Sequence, residues 1–216
     1  MYQQSGEEHL KAFDLWSSDD HSAWQSAFDR YSAVIEKQGS NRLPEHDRWF
    51  REELPGIIAG RSPAYITLDE MARVTEWKMA RGVWRARNLV LVKGNAPELV
   101  ESTSRAAIER IPEDAESASV NERYAPIAEM AKLAGVGPAT ASAVIVAAAP
   151  KIYPFFDDIV ADQIPGLGPV DYTLPYYRRY ADLIRDRAAR LGGPWTPTRV
   201  ERALWSHAGG KAKATN

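Results

Sequence analysis

Two features of this chain set residues where chemistry could happen. The first is the turn Leu133-Ala-Gly-Val-Gly-Pro138, which lies between two stretches that read as helix. Upstream, Ile127, Met130, Ala131 and Ala134 recur at helical spacing; downstream, residues 139–149 form an unbroken run of small and aliphatic residues, too apolar to face water on any side. Gly135 and Gly137 permit positive φ and the close approach of another backbone. The amides that follow them begin a helix, where the dipole favours an anion such as a DNA phosphate. The same glycines would equally serve a plain corner in which two helices pack closely, and the turn alone leaves both readings open. The second feature is Asp157-Asp158, behind Phe155-Phe156. An aspartate at a helix start commonly just caps it, worth about 1 kcal/mol. Held near an apolar pocket, it could instead stabilise positive charge developing on a sugar and orient water. A one-residue shift of the turn exchanges Asp157 and Asp158 in either role.

A third stretch adds charge. Between positions 73 and 93 six basic residues face one acid, Glu76. Thr67-Leu-Asp-Glu70 has the pattern of a capping box, so a helix runs from there toward Gly82 and, if it continues, buries Met79, Val83, Ala86 and Val90. Lys78, Arg81 and Arg85 would then form a second stripe, with Arg73, Trp77, Trp84 and Arg87 beside it. Cations interleaved with tryptophans suit phosphate contacts plus stacking on an exposed base. The bland alternative is a solvated cationic face whose arginines lie over buried tryptophans.

Leu133-Ala-Gly-Val-Gly-Pro-Ala-Thr-Ala141 resembles the hairpin of the helix-hairpin-helix DNA glycosylase superfamily, which includes endonuclease III. In that family a lysine of the bifunctional members follows the glycines, and an aspartate stands about eighteen residues on. Here the lysine position is Ala139, and Asp157 stands eighteen residues beyond it without a gap. The resemblance implies an all-α, glycosylase-like fold that binds duplex DNA without sequence preference. It implies backbone contacts from Gly135, Val136, Gly137, Ala139 and Thr140, and catalysis by Asp157, with Asp158 as the alternative. A flipped base would enter a pocket drawn from Trp77, Trp84, Tyr153, Phe155 and Phe156, near Lys78, Arg81 and Arg85. Without a lysine at 139 no Schiff base can form there, so such an enzyme would be monofunctional. Against this, residues 125–165 carry Lys132 and Lys151 against Glu129, Asp157, Asp158 and Asp162, an acidic balance where DNA should approach. A non-catalytic DNA-binding or protein-interaction module is the alternative.

The elements that must position these residues are helical throughout. The 216 residues are 44% hydrophobic with seven tryptophans, ample for a core, and the net charge of −2 announces no polyanion partner. The absence of cysteine excludes disulfides, zinc–thiolate sites and an iron–sulfur cluster, and four scattered histidines give no metal spacing, so neither metal nor cofactor is expected. No signal-peptide pattern or membrane-length run appears, which predicts a soluble intracellular protein, nuclear in a eukaryote. Residues 1–62 read as a helical appendage whose aromatic faces (Phe13, Trp16, Trp24, Phe28, Tyr31) suggest packing on the body of the protein, with docking of a protein partner as an alternative. Residues 63–208 read as the glycosylase-like domain and 209–216 as a disordered tail. Further helices are expected over 97–111, 176–191 and 197–207. The acidic stretch 112–125 is expected to be a loop, and Ile164-Pro-Gly-Leu-Gly-Pro169 an ordinary glycine turn.

Overall fold

A computed structural model describes residues 14–38 and 42–211. Phe13, the first ten residues and the end of the expected tail lie outside the described residues. The described residues contain no strand. They form α1 (His21–Asp29), α2 (Tyr31–Glu36), α3 (Leu43–Arg48), a π-helical turn (Trp49–Glu53), α4 (Leu54–Ala59), α5 (Leu68–Arg81), α6 (Ala86–Lys93), α7 (Pro97–Ile108), α8 (Val120–Met130), α9 (Pro138–Ala148), α10 (Asp158–Ala161), α11 (Leu174–Leu191) and α12 (Pro197–His207).

The centre of the core is α9, the run of small residues. Ala139 through Ala147 are all buried, and α4, α5, α7, α8 and α11 pack around it. Small side chains let five neighbours come near one axis, and a helix apolar all round has no face to give to water. The described residues of the first sixty contribute to this core. Leu15, Trp24, Tyr31, Trp49 and Leu54 share it with Trp77, Ile145 and Trp205, and α1 packs along α12. The aromatic faces pack on the body of the protein, as their spacing suggests: Trp16, Trp24 and Tyr31 are buried, and Phe28 is half-buried beneath Arg199 and Arg202.

Caps set the helix ends at several places. Thr67 and Glu70 form the capping box of α5, as the sequence indicates, and Thr173 caps α11 and Thr196 caps α12. The turn 164–169 precedes no immediate helix, and α11 starts only at Leu174. One expectation is corrected and one open alternative is resolved. Residues 112–125 are not all loop, because Ser119 and Glu122 make a second capping box that starts α8 at Val120. The helix from Thr67 stops at Arg81. Gly82 turns the chain, and a separate α6 begins at Ala86, so Val83 and Val90 are exposed rather than part of a buried stripe.

The detached α6 is clasped by the turn before α9. Gly135 has φ +77°, and a Cβ there would lie 2.8 Å from the Asn88 carbonyl oxygen and 2.9 Å from the Val92 nitrogen. Asn95 closes the clasp: its amide donates to the Ala134 carbonyl at 3.0 Å and accepts from the Ala134 N–H at 3.0 Å. Gly135 therefore brings the chain's own helix close, the corner-packing role. Gly137 is different, with φ −93° and nothing near a prospective Cβ. Gly135→Ala should lower unfolding free energy by about 3 kcal/mol, from positive φ and forced contacts together, while Gly137→Ala should cost less than about 1 kcal/mol. Urea unfolding of the two variants checks the contrast, and equal losses would contradict it.

Candidate functional site: a cleft at the start of α9

Two cations one turn apart near the end of α5 have different surroundings. Arg81 lies on the same face as Val74 and Trp77 and is fully buried. Lys78, three residues earlier, reaches into a cleft of about 180 Å³. Four segments far apart in sequence meet there: Lys78 with Gly82, Val83, Arg85 and Asn88; Gly137–Thr140; Phe155–Asp158; and Tyr172.

The floor of the cleft is the start of α9. Gly137 is its N-cap, offers no side chain to the first turn, and is followed by Pro138. The N–H groups of Ala139 and Thr140 belong to the first turn, which has no intrahelical acceptor for them, and α9 carries no acid there. An oxygen anion in the cleft would meet those donors and the positive end of a long helix.

One wall carries the two aspartates. Asp157 caps α10, its Oδ1 accepting from Ile159 N–H at 2.9 Å and from Val160 N–H at 3.4 Å, while Oδ2 accepts from Arg81 Nε at 3.0 Å. It is only 5% exposed. Burial pushes its carboxyl up to about 6 despite the opposing pull of Arg81, with Glu201 and Asp158 adding to the rise. Asp158 is half-buried and accepts from the Tyr172 hydroxyl at 3.1 Å. Burial and Asp158 together hold that phenol up at about 12. Arg85 lies over the Tyr172 ring, 5.6 Å from its centroid.

Behind Asp157 lies a buried polar network. Arg81 donates through Nε to Asp157, through Nη1 to the Tyr31 hydroxyl at 3.1 Å and through Nη2 to Glu201. Glu201 also accepts from Arg51 at 3.3 Å. Asp47 Oδ1 accepts from the Tyr31 hydroxyl at 2.8 Å and the Trp77 indole at 2.9 Å. Two arginines thus face three carboxylates out of water.

These placements sort the residues singled out from the sequence. Lys78, Arg85, Gly137, Ala139, Thr140, Phe155, Phe156, Asp157 and Asp158 converge on the cleft. Arg81 does not contact solvent and cannot reach a phosphate. Trp77 is fully buried, stacked on Phe50 at 3.6 Å, and is no base platform. Tyr153 is buried, its hydroxyl donating to the Arg123 carbonyl. Gly135 faces α6, Val136 is buried, and Trp84 is exposed beside the cleft but does not line it. Sequence reading missed Tyr31, Asp47, Arg51, Glu201 and Tyr172. The signal was present for one of them: Glu201 sits at helical spacing from Pro197, Leu204 and Trp205, all apolar and buried.

Among the described residues no group of three or more His, Asp or Glu could hold a metal ion, and no helix is long and apolar enough to cross a membrane. No family model, curated protein or solved structure matches this chain.

The network makes two outcomes measurable. Removing one partner of a buried ion cluster leaves charge uncompensated, so Arg81→Met should cost about 3–5 kcal/mol at pH 7. For Asp157 the folded pKa, about 6, lies above the ordinary value of 3.8. Its contribution to stability is therefore full below pH 4 and is lost as pH rises through 6. Asp157→Asn keeps a capping side chain and removes that titration. Relative to the parent protein, it should gain on the order of 2–3 kcal/mol between pH 4 and pH 7. A pH-independent difference in urea unfolding would contradict the raised pKa.

Proposed function

We propose that this protein binds duplex DNA and is a glycosylase-like, helix-hairpin-helix protein whose cleft accepts a sugar–base unit. The observation that carries the reading is the convergence at one cleft of residues that the sequence resemblance names separately: the start of the post-glycine helix, the Asp157-Asp158 pair and the cations of 78–85. The amides of Ala139 and Thr140 with Arg85 suit a backbone phosphate, a contact that carries no base information. Phe156 and Tyr172 offer an aromatic wall, with ring centroids 5.6 Å apart. Trp84 and Val83, 56% and 59% exposed on the loop beside the cleft, can pack against bases outside it. In base excision, Asp157 or Asp158 would face the positive charge that develops on the sugar as the base leaves.

One observation favours the non-catalytic alternative. Both oxygens of Asp157 are already engaged, by Arg81 and by the α10 amides, so Asp157 as it stands serves as cap and counter-ion. A binding module would need nothing more from it.

Fluorescence anisotropy on a short duplex containing one tetrahydrofuran abasic-site analogue tests the reading, at low and moderate salt. Binding should be tight and fall steeply with salt. Gly137→Asp is the informative variant, because position 137 has room and capping geometry. It should leave the fold at least as stable, gaining about 0.3 kcal/mol as a new N-cap, yet weaken DNA binding at least about tenfold by placing a carboxylate against the phosphate. Unchanged binding by this variant would remove the start of α9 from the interface, and no binding by the parent protein would end the DNA reading. Release of a damaged base that Asp157→Asn or Asp158→Asn loses would select the enzyme over the module.

A further inference from the structure

Lys78 has surroundings unlike those of several surface lysines. Lys93 pairs with Glu76 at 3.4 Å and Lys132 with Glu129 at 2.8 Å. No hydrogen bond or ion pair holds the Lys78 ammonium, although it is half-buried in the cleft. The charged groups that face it are Arg85 from the loop after α5, and Asp158 and Asp157 from the segment opposite. Burial, and then Arg85, depress its pKa below the ordinary lysine value; the aspartates oppose this without cancelling it. An amine that is desolvated, beside a second cation and free of a fixed counter-ion has the setting in which lysine becomes a nucleophile toward carbonyl carbon. Ala139, across the same cleft, leaves room where the resembled hairpin would carry its own amine.

We propose that Lys78 is a carbonyl-trapping lysine, forming an imine with an aldehyde that carries an anionic group and enters the cleft beside the start of α9. The neutral Nζ adds to the aldehyde carbon, and a proton passes from nitrogen to oxygen to give the carbinolamine. Departure of that oxygen as water, with a proton from Asp157, leaves the protonated imine; one carbonyl oxygen is lost as one water and nothing is oxidised or reduced. Asp158, half-buried at the cleft wall, faces the cation so formed. Arg85 and the α9 amides take the anionic group. Resting on the DNA reading, the ligand is the open-chain sugar aldehyde of an abasic site with its flanking phosphate, and such a protein would not be restricted to monofunctional chemistry.

The test separates the amine from the DNA reading. Intact protein is incubated at pH 7 with glyceraldehyde 3-phosphate or with glyceraldehyde, each with cyanoborohydride, and labelled lysines are mapped by peptide mass spectrometry. Lys78 should be labelled several-fold faster than Lys132 or Lys151, with the phosphorylated aldehyde preferred. Its advantage should shrink in Arg85→Met, whose loss restores a higher lysine pKa. Lys78→Arg and Lys78→Met, both checked for parental unfolding curves, should lose the label. A second arm replaces the small aldehyde with a duplex containing a true abasic site and seeks a covalent protein–DNA adduct after borohydride. Labelling of Lys78 no faster than the surface lysines overturns the proposal, as does a duplex that binds but yields an adduct insensitive to Lys78→Arg. Preferential labelling with the small phosphorylated aldehyde but no association with the duplex supports the lysine and rejects DNA as its substrate.

Discussion

The structure depends on the burial of one guanidinium. Arg81 ends α5, and its three nitrogens reach α10 through Asp157, α12 through Glu201 and α2 through Tyr31. Its face lies over the Trp205 ring at 4.5 Å. Arginine suits this place because its planar fork can satisfy several acceptors at once and it keeps its charge. No other residue type could join a helix from the start of the chain, one from its end and the wall of the cleft at one point. Taking these charges out of water is costly, so the network is weak evidence for stability as such. What it supplies is a single arrangement, because any shift of α12 or α10 relative to α5 would part a buried carboxylate from Arg81.

That arrangement fixes the cleft. With Arg81 drawn inward, the helical period sets Lys78 about a turn back toward the opening, and Gly82 releases the chain into the exposed loop of Val83 and Trp84. The clasp of Gly135 and Asn95 on α6 then holds this loop beside the start of α9. Cations, aromatic wall and helix start are mutually placed by two contacts, one ionic and buried, the other a backbone approach that only glycine allows.

Much of this was legible in the sequence, for local reasons. The run 139–149 declared a buried helix by composition, and Thr67 with Glu70 stood where a capping box starts a helix, whereas the caps at Thr173 and Thr196 emerge only in the structure. What composition conceals is the direction of a polar side chain. Arg81 read as one more cation in a basic stripe because charge near tryptophan is ordinarily solvated, and its three partners lie 50, 76 and 120 positions away. Trp77 read as a stacking platform for the same reason, although Asp47 needed its indole N–H. The glycines show the same limit. Gly135 and Gly137 look equivalent in a turn pattern, yet only the position of α6 separates the one that must be glycine from the one that need not be. A helix broken at Gly82 could not be foreseen either, because the apolar residues after it continue the helical period.

The buried network opens to the cleft at one carboxylate. Of its three carboxylates, Asp157 is the one that lines the opening, and it is the one that burial drives to hold a proton near pH 6. Asp47 and Glu201 are tied by Tyr31, Trp77 and the two arginines. A cation formed in the cleft would reverse that preference. Positive charge on a sugar ring or an imine nitrogen favours ionised Asp157, and the proton it releases is available to a departing group.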